Sequence, residues 1–246
     1  MGATELWLIR HGESEANAAA AVAEQNGHEV IAARYRDADV PLSAVGNEQA
    51  EALGTWLAAN ITTQKPGAVW ASSYLRAQQT ISIAMTAAGL DLPIRIDERV
   101  RDRELGILDL LTTAGVEARY PDEADRRRWL GKFYYRPPGG ESWADVALRL
   151  RSFLRDIDLY QDGECVLVAA HDAVVMLFLY VCDGLTEAEI LEFARTNVVT
   201  NASVTRLVRP SGEGRWRLDR FADDSHLRVE DAPITAHPGD KSADIH

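Results

Sequence analysis

Three times along the chain a short apolar run breaks off at a polar or cationic residue and gives way to a helical pattern. The first run is Glu5 to Ile9, followed by Arg10-His11-Gly12 and an alanine-rich stretch that Ser14 is placed to cap. The second is Ala68 to Ala71, followed by Ser72-Ser73 and "YLRAQQTISIAMTAAG", where Leu75, Ile81 and Met85 outline an apolar stripe and Gly89 a C-terminal stop. The third is Val166 to Ala170, followed by His171-Asp172 and an apolar helix ending at Gly184. Apolar strands alternating with helices predict an α/β fold with a mostly parallel central sheet covered by helices on both faces.

The stretches between the runs read as helices with their own start signals. "PLSAVGNEQAEALGTWLAANI" offers Ser43 as N-cap with Ala50, Leu53 and Leu57 at helical spacing. "GGESWADVALRLRSFLRDI" offers Ser142 with Asp145 three residues on, and Val146, Leu150, Phe153 and Leu154 on one side. "NASVTRLVR" and "RWRLDRFA" alternate with period two around a Pro-Ser-Gly-Glu-Gly turn, which predicts a C-terminal hairpin or edge strand. One domain over residues 1–222 is expected, followed by a polar tail over 223–246. The least regular segment, about 110–140, reads as an insertion over the domain, with Asp122/Arg126 and Glu123/Arg127 as i,i+4 pairs on a solvated helix face.

Bulk properties narrow the function. The 246 residues carry a formal charge of −12, so the mean field repels nucleic acid and anionic membranes, and any anion site must be local. The longest apolar stretch, Cys165 to Cys182, is split by His171 and Asp172 and reads as a buried strand and helix rather than a span. Its two cysteines read as buried thiols, and the first residues lack a secretory pattern, so a cytoplasmic location is expected.

In an open parallel sheet, ligands collect at the carboxyl ends of the strands. That edge would receive Arg10 and His11 from the first unit, Arg76 from the second and His171 from the third. Cations and imidazoles gathered there would repel one another without an anion between them, and helix N-termini add N–H donors. A phosphoryl group fits best, and a phosphate ion and a small phosphorylated substrate are the expected partners.

"LIRHGESEAN" resembles the R-H-G signature of the histidine phosphatase superfamily, the phosphoglycerate mutase-like family. "VPLSAVGNEQA", "ASSYLRAQQT", "VRDRELG", "GGES" and "VLVAAHDA" resemble its further motifs in the same order, over roughly residues 5–208. The resemblance implies His11 as the nucleophile that becomes phosphorylated, with Arg10, Asn17, Arg76 and His171 holding the phosphoryl oxygens. It implies a metal-independent reaction. Asp102 falls at the family's proton-donor glutamate, one methylene shorter; Glu104 is the rival, which restores the glutamate but breaks the spacing to Gly106. Neighbouring arginines should keep Asp102 ionised until substrate binds.

The family's mutases carry a W-N after the R-H-G and an F-T-G-W stretch, where this chain has "EAN" and "RDADVPLS". That favours a phosphomonoesterase acting through a phosphohistidine on His11, with no cofactor. The alternatives are a phosphoglycerate mutase, which would need 2,3-bisphosphoglycerate, and a non-catalytic phospho-ligand binding protein. Lys132, Tyr134, Tyr135 and Arg136 are the expected specificity residues of the lid-like insertion, and their cations would suit a second anionic group. His237 and His246 are expected to be exposed bystanders.

Overall fold

The computed structural model describes residues 2–61 and 65–236; His237 and His246 lie outside them. Among the described residues six strands form one sheet: β1 (Glu5–Arg10), β2 (Pro66–Ser72), β3 (Ile94–Asp97), β4 (Cys165–Ala170), β5 (Val204–Val208) and β6 (Arg217–Asp223). Their order is β3-β2-β4-β1-β5-β6. β1 pairs parallel with β4, and β2 parallel with both β3 and β4, while β5 runs antiparallel to β1 and to β6. The expected parallel sheet and C-terminal hairpin are therefore present, the hairpin added alongside β1.

The central strands β1 and β4 are buried at every position. Their side chains still alternate between faces, as the pleat requires. Leu6, Leu8, Val166 and Val168 join one core with α6 (Trp143–Tyr160) and α7 (Asp172–Asp183). Trp7, Ile9, Leu167 and Ala169 join the other with α2 (Ala44–Asn60) and α3 (Leu75–Ala88). An uninterrupted apolar run is what a strand needs when both faces are covered.

The capping signals act as the sequence indicated. Ser14 heads α1 (Glu15–Gln25) in a reciprocal capping box with Asn17, Ser43 caps α2 through the Gly46 N–H, and Ser142 caps α6 with Asp145. Gly89 ends α3 in the left-handed conformation. The stripe of α3 differs slightly from expectation. Ala77, Ile81, Ala84 and Met85 are its buried apolar residues and Leu75 is only half-buried, a rotation that also buries Arg76 and Thr80.

The insertion folds as α4 (Thr113–Arg119) and α5 (Pro121–Tyr134), the latter kinked at Gly131. The i,i+4 pairs expected on α5 are replaced by other contacts: Glu123 accepts from the Tyr135 hydroxyl and Arg128 pairs with Asp125. After α8 (Glu187–Thr196) and the hairpin, α9 (Ser225–Val229) buries His226 and Leu227, and the Gln49 amide donates to Pro233 O at 2.7 Å. The polar segment is thus laid against the domain as far as Thr235, which bonds to Gln49 and Asn201.

Two glycines let the loop after β1 meet the start of α2. A Cβ on Gly46 would lie 2.0 Å from Glu13 O, and one on Gly12 2.6 Å from Gly46 O. Both neighbours are backbone, so neither can yield without moving the site. Gly46→Ala is expected to destabilise the protein by about 3 kcal/mol, the upper end for forced overpacking, read as a lower urea midpoint.

Candidate active site

The carboxyl ends of three parallel strands converge. β1 delivers Arg10 and His11, β2 delivers Ser72, and β4 delivers His171, which is also the N-cap of α7. Arg76 enters from the first turn of α3 and Asp102 from the loop after β3. Arg10, His11, Arg76 and His171, four of the sequence-predicted site residues, are all at least 96% buried.

His11 has a defined tautomer. Its Nδ1 lies 2.6 Å from Gly12 O, an oxygen that can only accept, so Nδ1 carries the proton. Nε2 then presents a lone pair, toward which Arg76 Nε donates at 3.3 Å. Burial first, then the neighbouring Arg76, His171 and Arg10, hold the His11 imidazole well below its ordinary value. A neutral imidazole with Nε2 unprotonated is what a nucleophile requires.

The ring of His171 stands 5.1 Å from that of His11. Its Nε2 is 2.9 Å from Ser72 Oγ, and its Nδ1 is 3.2 Å from Asp102 Oδ2, close but short of hydrogen-bond geometry. Arg76 Nη2 donates to the same Asp102 oxygen at 2.9 Å. Burial alone would raise the Asp102 carboxyl, but His171, Arg76 and His11 outweigh it and hold it well below the usual range. Glu104 lies elsewhere: it accepts from the Tyr74 hydroxyl at 3.0 Å, and its side chain is half-exposed. Of the two carboxylates considered, only Asp102 contacts Arg76 and His171.

Arg10 donates Nη1 to Val199 O, while its buried Nε has no protein partner. A buried donor without a partner is costly, and an anion seated there would relieve it. Asn17 accepts from Ser14 N through Oδ1, so the helix cap occupies its oxygen and leaves the amide N–H groups as donors. Asn201 donates to His11 O at 3.0 Å, and Thr80 accepts from Gly12 N at 2.9 Å, so both polar groups of the peptide that joins His11 to Gly12 are held.

The four lid residues are not brought to this cluster. Lys132 Nζ sits 4.6 Å from the Trp143 ring centroid, and Arg136 is paired with Asp145. Tyr135 is 1% exposed with its hydroxyl on Glu123, and Tyr134 is exposed and packs edge-on to Phe133. Residues missed by sequence reasoning are Ser72, Tyr74, Thr80, Asp37 and Asn201. Ser72 had a signal, since it ends β2 at the sheet edge where His171 arrives; Asp37 and Asn201 lie in irregular segments that no periodicity marks. Among the described residues, no group of three or more His, Cys, Asp or Glu side chains gathers as a metal site, and no helix is long and apolar enough to cross a membrane. Both cysteines are free and buried.

The profile of the Histidine phosphatase superfamily (branch 1) matches residues 6–224. A 2,3-bisphosphoglycerate-dependent phosphoglycerate mutase from Methylobacterium radiotolerans is 33% identical over 192 residues, covering 75% of this chain and 82% of that protein. The 6-phosphofructo-2-kinase/fructose-2,6-bisphosphatase of Caenorhabditis elegans is 31% identical over 71% of this chain and 33% of its own. Among solved structures, mycobacterial glucosyl-3-phosphoglycerate phosphatase in complex with VO3 superposes with a TM-score of 0.70 at 27% identity, over 89% of this chain and 98% of that one.

Proposed function

The chain belongs to branch 1 of the histidine phosphatase superfamily, and from that membership we propose that it is a phosphomonoesterase that hydrolyses a small phosphorylated metabolite through a phosphohistidine on His11. The observation that carries this reading is the neutral, buried His11 with its Nε2 lone pair facing Arg76. In the first step Nε2 attacks phosphorus, the P–O bond to the leaving group breaks, and the leaving oxygen takes a proton from Asp102. In the second, the Asp102 carboxylate takes a proton from water, whose oxygen attacks phosphorus and releases inorganic phosphate and His11. Arg10, Arg76, His171 and the Asn17 amide hold the equatorial oxygens, where charge accumulates in the transition state.

Asp102 is ionised before substrate arrives. A phosphoryl dianion beside Arg76 and His171 offsets the charges that depress it, so Asp102 takes up a proton from solvent as substrate binds, and this is the proton it gives to the leaving oxygen. The acid and the clamp are therefore coupled through Arg76.

Hydrolysis is preferred to mutation on two grounds. The chain lacks the W-N and F-T-G-W segments of the family's mutases. Lys132 and Arg136, the lid cations suited to a substrate carboxylate, are committed to Trp143 and Asp145. The mutase relatives keep the second reading in view, and one experiment separates the two. A panel of sugar phosphates, phosphoglycerates and p-nitrophenyl phosphate should be hydrolysed without added 2,3-bisphosphoglycerate. Bisphosphoglycerate-dependent conversion of 3- to 2-phosphoglycerate outpacing phosphate release would overturn the phosphatase reading.

The direction of the His11 shift fixes a pH dependence. A proton on Nε2 removes the nucleophile, and the site disfavours that proton. Once ionisation of the substrate phosphoryl group is allowed for, kcat/KM should hold steady as pH falls through 6.5, and fall only in more acid solution. An enzyme-derived acid limb at or above the ordinary imidazole value would contradict it.

A further inference from the structure

Arg76 carries its guanidinium almost fully buried, with a side chain only 5% exposed, and two carboxylates divide it. Asp102 takes Nη2, in keeping with its place beside His11 and His171. Asp37 takes the other end. Its backbone oxygen accepts from Arg76 Nη1 at 2.7 Å and its Oδ1 accepts from the same nitrogen at 2.9 Å. Both protons of Nη1 are therefore spoken for by one residue.

The covalent shape of the guanidinium gives this division a consequence. It is planar, with five N–H donors in a fixed fork. The Nε proton and one Nη2 proton project in parallel from one side edge; Nη1 lies across the fork, on the side of the stem. In this site the side edge faces His11 and Asp102, which is where the phosphoryl group must sit. Holding Nη1 from behind settles the rotation of the plane and aims the side edge, whose donors now meet His11 and Asp102, at the place of the phosphoryl oxygens.

The segment that presents Asp37 is itself held. Asp37–Asp39 is a single 3-10 turn, bridged by Arg36 Nε to Asp39 Oδ2 at 2.9 Å. Immediately after it, Val40 is buried and Leu42 N donates to Gln79 Oε1 at 2.9 Å, tying the turn's exit to α3, the helix that carries Arg76. The other charged and titratable groups facing Asp37 are Asp102, His171, Tyr74 and Asp109, from the loop after β3, the start of α7, the start of α3 and the loop before α4. Arg76 is the only one of these groups that Asp37 hydrogen-bonds among the described residues.

We propose that Asp37 is a positioning residue of the phosphoryl-transfer site: it holds the far nitrogen of Arg76 so that the Nε/Nη2 edge of the guanidinium faces the phosphoryl group on His11. Asp37 acts through Arg76, as an orienting carboxylate acts through the group it holds, and transfers no proton to substrate. The inference rests on the phosphatase reading of the site. It also separates two carboxylates that a sequence comparison would not distinguish by chemistry: Asp102 serves the leaving group, and Asp37 serves the clamp.

The test compares wild type, Asp37→Ala and Asp37→Asn by hydrolysis of p-nitrophenyl phosphate and of an alkyl phosphate, and by calorimetric titration with orthovanadate and inorganic phosphate. A loosened clamp lowers kcat/KM on the order of 10- to 100-fold. The factor should be the same for both substrates, because the clamp acts on the phosphoryl group whatever leaves. Vanadate, which can adopt the five-coordinate shape of the transition state, should lose more affinity than phosphate in Asp37→Ala. Asp37→Asn keeps the backbone contact and an oxygen for Nη1, so it should fall between the other two, and it reads the effect even if the alanine variant does not fold. Loss confined to the alkyl phosphate would make Asp37 a proton donor instead. Tighter phosphate binding would make it a resident competitor for Arg76, and an Asn variant equal to wild type would remove its role; each overturns the proposal. Wild type that neither hydrolyses nor binds vanadate brings down the phosphatase reading with it, whereas active wild type with unaffected variants defeats the positioning role alone.

Discussion

His11→Ala is expected to abolish turnover, with kcat falling by a factor on the order of 10⁴–10⁶, the scale set by removing a covalent nucleophile from a site whose other groups act with it as a unit. Arg10, Arg76 and His171 remain in the variant, but they stabilise charge on a phosphoryl group that no longer has an attacking atom. Binding should behave differently from rate. His11 contributes a neutral ring to the ground-state complex, so inorganic phosphate should still bind the variant with an affinity near that of wild type. A second readout is covalent: wild type quenched during turnover of a ³²P-labelled substrate should carry acid-labile, base-stable label, and the variant none. Retention of more than about one per cent of wild-type activity, a barrier change under about 3 kcal/mol, would mean that water attacks phosphorus directly and that His11 is only a ligand of the phosphate.

The parts of this site that the sequence disclosed are those tied to strand ends. Arg10, His11 and His171 follow β1 and β4 directly, and an apolar run that stops at a cation is visible without coordinates. Arg76 was legible for a related reason, because it opens the helix after β2. The lid was less legible. Lys132 and Arg136 carry the charges a second anion would attract, yet their neighbours Trp143 and Asp145 engage them, and those contacts arise from how α5 folds back on the start of α6. A string of residue types does not encode that approach. Asp37 was illegible for the opposite reason. It sits in an irregular stretch between α1 and α2, 39 residues from Arg76, and its importance comes wholly from the hydrogen bonds it accepts there.

The same reasoning bears on Asn17, whose side chain has two uses. As the third residue of α1 its oxygen completes the capping box with Ser14. Its amide N–H groups are what the phosphoryl group would draw on. One residue thus fixes the helix start and supplies a neutral donor, which places that donor on a rigid element rather than on a loop tip.

Asp102→Asn should show its effect through the leaving group. An alkoxide is a poor leaving group and needs a proton as the P–O bond breaks, so hydrolysis of alkyl phosphates should fall by about 10²–10⁴-fold. p-Nitrophenolate leaves without help, so the loss with p-nitrophenyl phosphate should be far smaller. Glu104→Gln should leave both rates close to wild type, because Glu104 faces the Tyr74 hydroxyl and not His11. The asparagine also removes the negative charge that Arg76 and His171 now share. Phosphate binding should accordingly be unimpaired or tighter, since the anion no longer has to approach an ionised carboxylate. A uniform loss across leaving groups would place Asp102 in the clamp rather than in proton transfer. A larger loss in Glu104→Gln than in Asp102→Asn would move the proton donor to Glu104. The leaving-group profiles should therefore divide the two carboxylates on Arg76: steep for Asp102 if it carries the proton, and flat for Asp37 if it holds the arginine from behind.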